Sequence, residues 1–398
     1  MNKERRRLDR IKGCLLGGAI GDALGYPVEF LSYDEIRMRY GVSGINFYNI
    51  TSNSKAIISD DTQMTLFTAS GVISKYVDLA FNKVDKPIHD YVYYSYLDWL
   101  KCQGYEKHIK DNSRKDSWLV DVPELNHQRS PGRSVVSALA KFDEGHKYSL
   151  TNPINDSKGC GALMRVAPLG LIDDMEHIDQ CLEASEIAAL THGHPMSHLA
   201  CQYYVLIINN IMKDDGRTLW RIAKDALKEL KYHFDATPPK QYEEFFYRCK
   251  EYIPEFVEKM RKALVLVKYD LVMKEDRTAK DETPEIIKSL GEGWVAEEAL
   301  AIALYCAVRY QTEPDQGIRK AVNHDGDSDS TGALTGQLLG AYYGVSLFPP
   351  YHTDKLELSD VIEEIATDLA ACNHLDKLSK AERENLKKKY IEHVRYQR

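Results

Sequence analysis

Residues 13–25 read GCLLGGAIGDALG, and a glycine stands at every fourth position of this stretch. Residues four apart share one face of an α-helix, so these glycines would form a single stripe. Each glycine weakens a helix by about 1 kcal/mol relative to alanine, and the stripe therefore needs a compensating contact. Close approach of a second helix would supply it. The first glycine repeat, as we call this stripe, consists of Gly13, Gly17, Gly21 and Gly25.

A second stretch, GDSDSTGALTGQLLGA at residues 326–341, has the same spacing. Its second glycine repeat consists of Gly332, Gly336, Gly340 and Gly344. Both repeats stand beside acidic residues. The sequence therefore predicts two helices that each pack closely against another helix, with carboxylates nearby.

Most of the chain has helical periodicity, because apolar residues recur at spacings of three and four. This pattern covers residues 60–80, 134–143, 180–212, 218–233, 241–268, 294–310 and 331–345. Strand-like alternation is confined to a candidate short hairpin near residues 45–58. We therefore predict an all-α fold, a compact multi-helix domain with helical insertions.

We predict one domain over residues 1–398. Residues 213–290 are rich in Lys and Glu, which indicates a helical insertion or, alternatively, ordinary charged surface helices. Residues 379–396 are predicted to form a C-terminal surface helix, because Ser379 and Glu382 have the spacing of a capping box.

Composition narrows the class of protein. The 398 residues are 43% hydrophobic and carry 52 Lys and Arg against 60 Asp and Glu, a net charge of −8. This composition excludes a wholly disordered chain, and the acidic balance argues against nucleic-acid binding. The eight cysteines contain no CxxC pair, which favours reduced thiols in a cytoplasmic protein.

No apolar run is long enough for a membrane span. The basic and apolar N-terminus only loosely resembles a signal peptide, because Asp22 interrupts it.

Three acidic motifs accompany the glycine repeats. The first is Gly21-Asp22-Ala23-Leu24-Gly25, which ends the first repeat and is followed by Glu29. Ser59-Asp60-Asp61 opens an apolar helix, and Asp327-Ser328-Asp329-Ser330 precedes the second repeat. Either aspartate motif alone could be a simple helix N-cap. Carboxylates that converge, however, must bind protons or share cations, and hard oxygen ligands suit Mg²⁺, Mn²⁺ or Ca²⁺.

Seven segments together resemble the ADP-ribosylglycohydrolases, the family of dinitrogenase reductase-activating glycohydrolase and the ADP-ribosyl-acceptor hydrolases. In chain order they are GCLLGGAIGDALGYPVEF from residue 13, SDDTQMT from 59, RSPGRSVVSAL from 129, SKGCGALMRVAPLG from 157, THGHP from 191, GEGWVAEEALAIAL from 291 and GDSDSTGALTGQLLGA from 326.

The resemblance implies an all-α fold that binds two Mg²⁺ or Mn²⁺ ions. By position in the motifs, the implied metal ligands are Ser59, Asp60, Asp61, Asp327, Asp329 and Ser330. Glu29 matches a glutamate that lies at the metals and helps to drive hydrolysis, and we expect Glu29, Asp61 and Asp329 to be the catalytic residues.

The resemblance also implies residues that bind the substrate. The Gly-rich turn with Gly159, Cys160 and Gly161 would hold ADP-ribose, and the expected set also includes Gly132 and His192. Arg165 either clamps a phosphate or is a buried structural residue. A zinc site at the neighbouring histidines is disfavoured, because Pro195 separates His194 from His198 and no Cys, Asp or Glu supports them.

The expected function is metal-dependent removal of ADP-ribose from an amino-acid side chain of a protein, with ADP-ribose as a product. Arginine is the expected acceptor, because GDALG…VEF and GWVAEEAL resemble the dinitrogenase-reductase side of the family. A catalytically silent ADP-ribose-binding module and a two-metal hydrolase that cuts the pyrophosphate remain alternatives. An acidic stretch could line the cleft mouth or be a plain surface loop: Asp111, Asp116, Asp121 and Glu124.

Overall fold

The computed structural model describes residues 2–50, 54–109, 115–143, 148–173, 175–273 and 283–392. The described residues form seventeen α-helices and no β-sheet, which confirms the predicted all-α class. They are α1 (Lys3–Gly25), α2 (Tyr33–Tyr40), α3 (Asp60–Asn82), α4 (Ile88–Cys102), α5 (Arg133–Asp143), α6 (Ala167–Gly170), α7 (His177–Ala189), α8 (Pro195–Met212), α9 (Leu219–Asp235), α10 (Glu243–Met273), α11 (Thr283–Leu290), α12 (Ala296–Arg309), α13 (Pro314–Ala321), α14 (Ser328–Tyr343), α15 (Pro350–Lys355), α16 (Ser359–Ala371) and α17 (Lys380–Lys387).

Short helical turns lie between these helices. The 3₁₀ turns are Tyr26–Val28, Glu106–His108, Trp118–Asp121, Pro123–Leu125, Cys160–Ala162, Lys240–Tyr242, Val345–Leu347 and Cys372–Lys377, and a π turn covers Lys388–Glu392. In the part of the chain given above, no helix is both long and apolar enough to cross a membrane.

The two glycine repeats pack against each other, with α1 and α14 antiparallel. A Cβ atom added to Gly17 would lie 2.3 Å from the carbonyl oxygen of Gly336, and one added to Gly21 would lie 2.0 Å from that of Gly332. In the reverse direction, a Cβ on Gly340 would lie 1.8 Å from the carbonyl oxygen of Gly13. These distances leave no room for any side chain, so the predicted close helix–helix contact is present.

This pairing sets where the acidic motifs meet. Because the two helices are antiparallel, the C-terminal end of α1 lies against the N-terminal end of α14. A Cβ on Gly25 would lie 2.4 Å from the Ser328 carbonyl oxygen and 2.6 Å from Asp329 Cα. Helix α3 packs on α1 and α14, which brings a third helix to the same place.

The core lies around α8 and α12. Every residue of α8 is buried, as expected for a helix that has other helices on all sides. It packs against α7, α9, α10, α12 and α14. The two apolar helices thus form a rigid base beneath the α1–α14 pair.

Residues 213–290 contain α9, α10 and α11, although residues 274–282 lie outside the described residues. Buried side chains of α9 and α10, such as Phe234, Phe256 and Met260, belong to the same apolar cluster as α8 and α12. Whether this segment is an insertion, and whether the chain is a single domain, stay predictions.

The expected hairpin near residues 45–58 is reduced, in the residues described there, to one antiparallel bridge between Ile50 and Ala56. Residues 51–53 lie outside the described range. Ala56 instead pairs with a distant segment: its N–H donates to the Lys355 carbonyl at 2.7 Å, and the Glu357 N–H donates to the Ala56 carbonyl at 2.9 Å. Ala56 and Ile58 are buried at this long-range contact, whereas Phe47 and Ile50 are exposed.

The C-terminal capping box is present, with Ser379 and Glu382 exchanging side-chain and backbone hydrogen bonds. Leu386 and Tyr390 are buried, and the Tyr390 hydroxyl donates to Asp368 at 2.8 Å. The predicted helix extended to residue 396, and residues 393–396 lie outside the described part.

Candidate active site

Two helix N-termini carry the acidic motifs. Ser59 caps α3, where its hydroxyl accepts a hydrogen bond from the Asp61 N–H at 3.2 Å. Asp327 caps α14, where its carboxylate accepts from the Ser330 N–H at 3.3 Å. The positive end of each helix dipole stabilises negative charge, so both termini favour the aspartates that follow the caps.

Asp22, near the end of α1, binds the first of these termini, the start of α3. Its carboxylate accepts from the Ser59 N–H at 2.9 Å, from the Thr62 N–H at 3.1 Å and from the Thr62 hydroxyl. Burial raises the pKa of Asp22 to about 6, while these hydrogen bonds oppose the rise. Asp22 therefore fixes the start of α3 against α1. The sequence motifs assigned Asp22 no role, although an aspartate between two glycines of the repeat was the signal that could have found it.

Glu29 lies just beyond α1 and is largely buried. Burial, followed by the charges of Asp327, Asp60 and Asp22, raises the pKa of Glu29 to about 9. Since like charges act on a carboxyl only when they are close, Glu29 belongs to the same cluster as the aspartates of both helix starts.

Three aspartates share this environment. Burial and neighbouring carboxylates raise the pKa values of Asp60, Asp61 and Asp329 well above the ordinary range. The Ser330 hydroxyl, from the other helix start, has the opposite effect on the pKa of Asp61. The structure thus brings together all six predicted ligands and Glu29, and we call this set the carboxylate cluster.

The donors in the carboxylate cluster suit hard cations. Oδ2 of Asp61 and Oε2 of Glu29 are buried and have no hydrogen-bond partner. Unsatisfied buried oxygens are costly, and a divalent cation would satisfy them. Within the described ranges, no group of three or more His, Cys, Asp or Glu side chains is arranged to hold a metal ion by itself. Any cation would therefore also need the hydroxyls of Ser59 and Ser330, water or substrate oxygens, a mixture that Mg²⁺ accepts readily.

The Gly-rich turn lies beside the cluster. The Cys160 thiol donates to Oδ2 of Asp327 at 2.7 Å and lies 3.5 Å from the Ser330 hydroxyl. The Cys160 N–H donates to the Trp294 carbonyl at 3.2 Å, and Gly159 forms an isolated bridge with Val295. The backbone of Trp294 and Val295 and the Cys160 thiol therefore hold the turn against the start of α14.

His192 is buried under this turn. A Cβ on Gly159 would lie 3.2 Å from His192 Nε2, and one on Gly161 would lie 3.1 Å from His192 Cε1. Burial lowers the pKa of His192 to about 3, with help from the positive charge of Arg165, so the imidazole is neutral at pH 7. The structure places His192 as a support of the turn.

A buried arginine sets the tautomer of that imidazole. Arg165 donates to Thr191 Oγ1 at 2.6 Å, and this oxygen lies 2.8 Å from His192 Nδ1. Since the hydroxyl accepts from Arg165, it is free to donate to Nδ1, which leaves the proton of the imidazole on Nε2. Arg165 also stacks over the Tyr96 ring at 4.4 Å. Its complete burial favours the structural interpretation over a phosphate clamp.

Gly132 directly precedes α5 and lies against the start of α3. Its N–H points to Oδ2 of Asp60 at 3.4 Å, while the Asp60 N–H donates to the Arg129 carbonyl at 3.0 Å. The loop around Gly132 thus borders the carboxylate cluster on the side of α3.

The other histidines and the acidic stretch that the sequence analysis named have no described contact with the carboxylate cluster. His194 caps α8 by accepting from the Met196 N–H at 3.1 Å, and His198 Nδ1 lies 3.2 Å from the Ser185 carbonyl. Of the acidic stretch expected at the cleft mouth, Asp121 is paired with Lys115 at 2.6 Å. The carboxylate of Asp98 accepts from the Asp116 N–H at 2.6 Å, and Asp111 lies outside the described residues. Glu124 is exposed.

Comparison with known proteins gives consistent matches. The family model described as ADP-ribosylglycohydrolase matches residues 3–378. ADP-ribosyl-[dinitrogen reductase] glycohydrolase of Rhodospirillum rubrum is 24% identical over 356 residues, which are 88% of this chain and 91% of that protein. An ADP-ribosylarginine hydrolase of Serratia proteamaculans is 23% identical over 366 residues, 92% of this chain and 80% of the relative.

The fold also has a solved counterpart. A chain described as an ADP-ribosylglycohydrolase-related protein complex superposes with a TM-score of 0.56 at 23% identity, covering 93% of this chain and 99% of the other. At this identity the likeness supports the all-α fold alone.

Proposed function

Because this chain belongs to the ADP-ribosylglycohydrolase family, we propose that it hydrolyses the bond between C1″ of a terminal ADP-ribose and an amino-acid side chain of a protein. The observation that carries the proposal is the carboxylate cluster, with its raised pKa values and unpartnered oxygens. Arginine is the proposed acceptor, and two relatives named as ADP-ribosylarginine hydrolases support that choice.

The carboxylate cluster is the proposed site of two Mg²⁺ or Mn²⁺ ions. Ser59, Asp60 and Asp61 would hold them from one helix start, and Asp327, Asp329 and Ser330 from the other. Bound cations would neutralise the carboxylates and polarise substrate oxygens. The second set stands on α14, which the glycine repeats hold against α1, and Asp22 of α1 accepts hydrogen bonds from the start of α3, which carries the first set. The fold therefore fixes the spacing between the two sets before substrate binds.

Glu29 is the proposed acceptor of the proton from the attacking water. Its burial beside Asp327 and Asp60 raises the pKa of its carboxyl, and a carboxylate with a raised pKa is the stronger base once ionised. The reaction breaks the bond from C1″ to the side chain, and the acceptor leaves with a proton. The products are ADP-ribose and the unmodified side chain.

The Gly-rich turn is the proposed site for the diphosphate. Gly159 and Gly161 have no side chain, which lets a ligand approach the backbone of the turn closely. His192, beneath the turn, would keep its shape, and Gly132 would border the ribose from the side of α3.

The test is product analysis on two defined peptides, one with ADP-ribosyl-arginine and one with ADP-ribosyl-serine, at equal concentration. We expect release of ADP-ribose, faster from arginine, and loss of release with EDTA. Release of AMP would instead indicate cleavage of the pyrophosphate, and binding without turnover would indicate a silent ADP-ribose-binding module. Glu29→Gln should abolish turnover, while Asp360→Asn, an exposed aspartate in the first turn of α16, serves as the control.

A further inference from the structure

Two exposed aromatic rings stack on each other at Phe30 and Trp294. Their centroids are 5.7 Å apart, and the planes differ by 16°. Phe30 is 72% exposed and Trp294 is 38% exposed. Large apolar rings exposed side by side present a flat surface to solvent, and such surfaces are common at binding sites.

Both rings stand at the edge of the carboxylate cluster. Phe30 directly follows Glu29, whose carboxyl is influenced by Asp327 and Asp60. The carbonyl of Trp294 accepts from the N–H of Cys160, the residue whose thiol contacts Asp327. The two rings are therefore connected to the cluster through their own backbone segments.

The segment that carries Trp294 is fixed on both sides. The Asp327 N–H donates to the Glu292 carbonyl at 2.8 Å. Gly293, between Glu292 and Trp294 in the sequence, has a φ of +88°, and a Cβ at Gly293 would lie 3.0 Å from Thr331 Cγ2. A left-handed glycine against α14 holds the backbone in one conformation, so the indole has a defined place at the rim.

We propose that Phe30 and Trp294 form an acceptor platform, a stacking surface for the guanidinium group of ADP-ribosylated arginine. The inference rests on the proposed function and deepens it by assigning residues to the choice of acceptor. Guanidinium is planar and cationic, and it stacks on aromatic faces. A serine acceptor offers neither a plane nor a charge, so the acceptor platform favours arginine.

Position selects the acceptor over the adenine ring as the occupant. In ADP-ribose, two riboses and a pyrophosphate separate adenine from the bond to be cut. The acceptor side chain, in contrast, begins at that bond. Rings next to Glu29, the proposed proton acceptor, therefore lie at the acceptor end of an extended ligand.

The test compares Trp294→Leu and Phe30→Leu with the wild type on ADP-ribosyl-arginine and ADP-ribosyl-serine peptides. We expect kcat/KM for the arginine peptide to fall between about threefold and thirtyfold, the range of a lost cation–π contact. The value for the serine peptide should change less than twofold. Phe47→Leu is the matched control, because Phe47 is 66% exposed and contacts Arg319 instead.

Free ADP-ribose supplies the second measurement, since it contains no acceptor. Its Kd should stay within twofold of the wild type in both variants. A tenfold weaker Kd would mean that the rings bind adenine or ribose, and it would overturn the proposal. An equal loss for both peptides, no loss for either, or a wild-type preference for serine would also overturn it.

Failure of the proposed function has a separate signature. If the wild type releases ADP-ribose from neither peptide, that function is wrong. Calorimetric binding then tests the acceptor platform alone. ADP-ribosyl-arginine should bind more tightly than ADP-ribose, and Trp294→Leu should remove the difference; equal affinities in the wild type would reject the platform.

Discussion

Single carboxyl groups decide the charge of the candidate site. Asp22 is stabilised by donors at the start of α3, whereas Asp61 and Glu29 each keep one buried oxygen without a partner. Burial and neighbouring carboxylates therefore hold protons on groups that are ordinarily ionised at pH 7. Protons and divalent cations would compete for the same oxygens, which would make the proposed cation binding dependent on pH.

Asp61→Asn and Asp329→Asn should each weaken binding of Mg²⁺ or Mn²⁺, by at least about tenfold to a hundredfold, since loss of even an outer partner of a metal ligand costs that much. Calorimetric titration measures the affinity. The thermal midpoint of the cation-free variants should not fall, because the amide, like the protonated carboxyl that it replaces, carries no charge. Asp360→Asn is the control, and unchanged affinity in both variants would contradict the ligand assignment.

The cation-free protein should lose stability as pH rises from 7 to 9. The pKa of Glu29 is about 9 in the folded protein against an ordinary value of 4.5, so the folded state holds an extra proton between those limits. Raising the pH removes that proton and its contribution to stability. Raised pKa values at Asp60, Asp61 and Asp329 act in the same direction.

The measurement is the thermal midpoint against pH with a chelator present. Glu29→Gln cannot lose a proton, and its midpoint should decline less steeply than that of the wild type. His192 and His198 do not titrate in the pH window from 7 to 9, because their pKa values are lowered. Their protonation would destabilise the fold only in acid. Parallel slopes for wild type and variant would refute a high pKa at Glu29.

Among the elements, the α1–α14 pair positions the site. Its backbones touch at Gly17 with Gly336 and at Gly21 with Gly332. This contact places Asp22 and Glu29 beside the start of α14. A small change in the distance between the helices would move the two sets of donors apart, and the glycine repeats therefore serve the chemistry as well as the packing.

Gly340→Ala should destabilise the protein although alanine is the better helix former. The new Cβ would lie 1.8 Å from the Gly13 carbonyl oxygen, so the helices must separate. Overpacking costs about 1–3 kcal/mol of unfolding free energy. We expect a loss at the upper end of this range, because the new Cβ would meet a backbone oxygen, which cannot rotate away as a side chain can. Denaturant unfolding measures the loss. Gly132→Ala is the control, since its Cβ would meet only Val135 at 3.6 Å; equal stabilities would contradict the contact.

Sequence periodicity predicted most of these elements, and the spacing of four predicted a close helix contact. It could not reveal that the repeats contact each other, because the same spacing fits either partner and either direction. The role of Asp22 depends on donors at Ser59 and Thr62 that only the tertiary fold brings near. Phe30 stands in a loop that no periodicity marks, and Trp294, the first residue of the predicted 294–310 helical pattern, lies in the loop before α12.

Across the whole molecule, the charged helices α9 and α10 contribute buried residues to the same apolar cluster as α8 and α12. Composition marked residues 213–290 as different, because their exposed faces are rich in Lys and Glu. Composition could not reveal which side chains of α9 and α10 are buried against α8 and α12. A shared core favours unfolding as one unit.

Thermal or denaturant unfolding should therefore show one transition. Hydrogen exchange followed by mass spectrometry can compare peptides from α10 with peptides from α14 across that transition. We expect equal midpoints. A lower midpoint for α10 would show that residues 213–290 unfold separately and would contradict the single-domain prediction.

The pairing of α1 with α14 also has a consequence during biosynthesis. Ribosomes release α1 among the first helices and α14 only after thirteen others in the described chain. Until α14 is synthesised, the first glycine repeat has no partner helix to pack against, and the donors of α14 are absent. A chain that ends before α14 therefore has no carboxylate cluster, so such a truncated product lacks the proposed site for cations and substrate. Non-local pairings of this kind also form slowly, and activity should be among the last properties that the new molecule acquires.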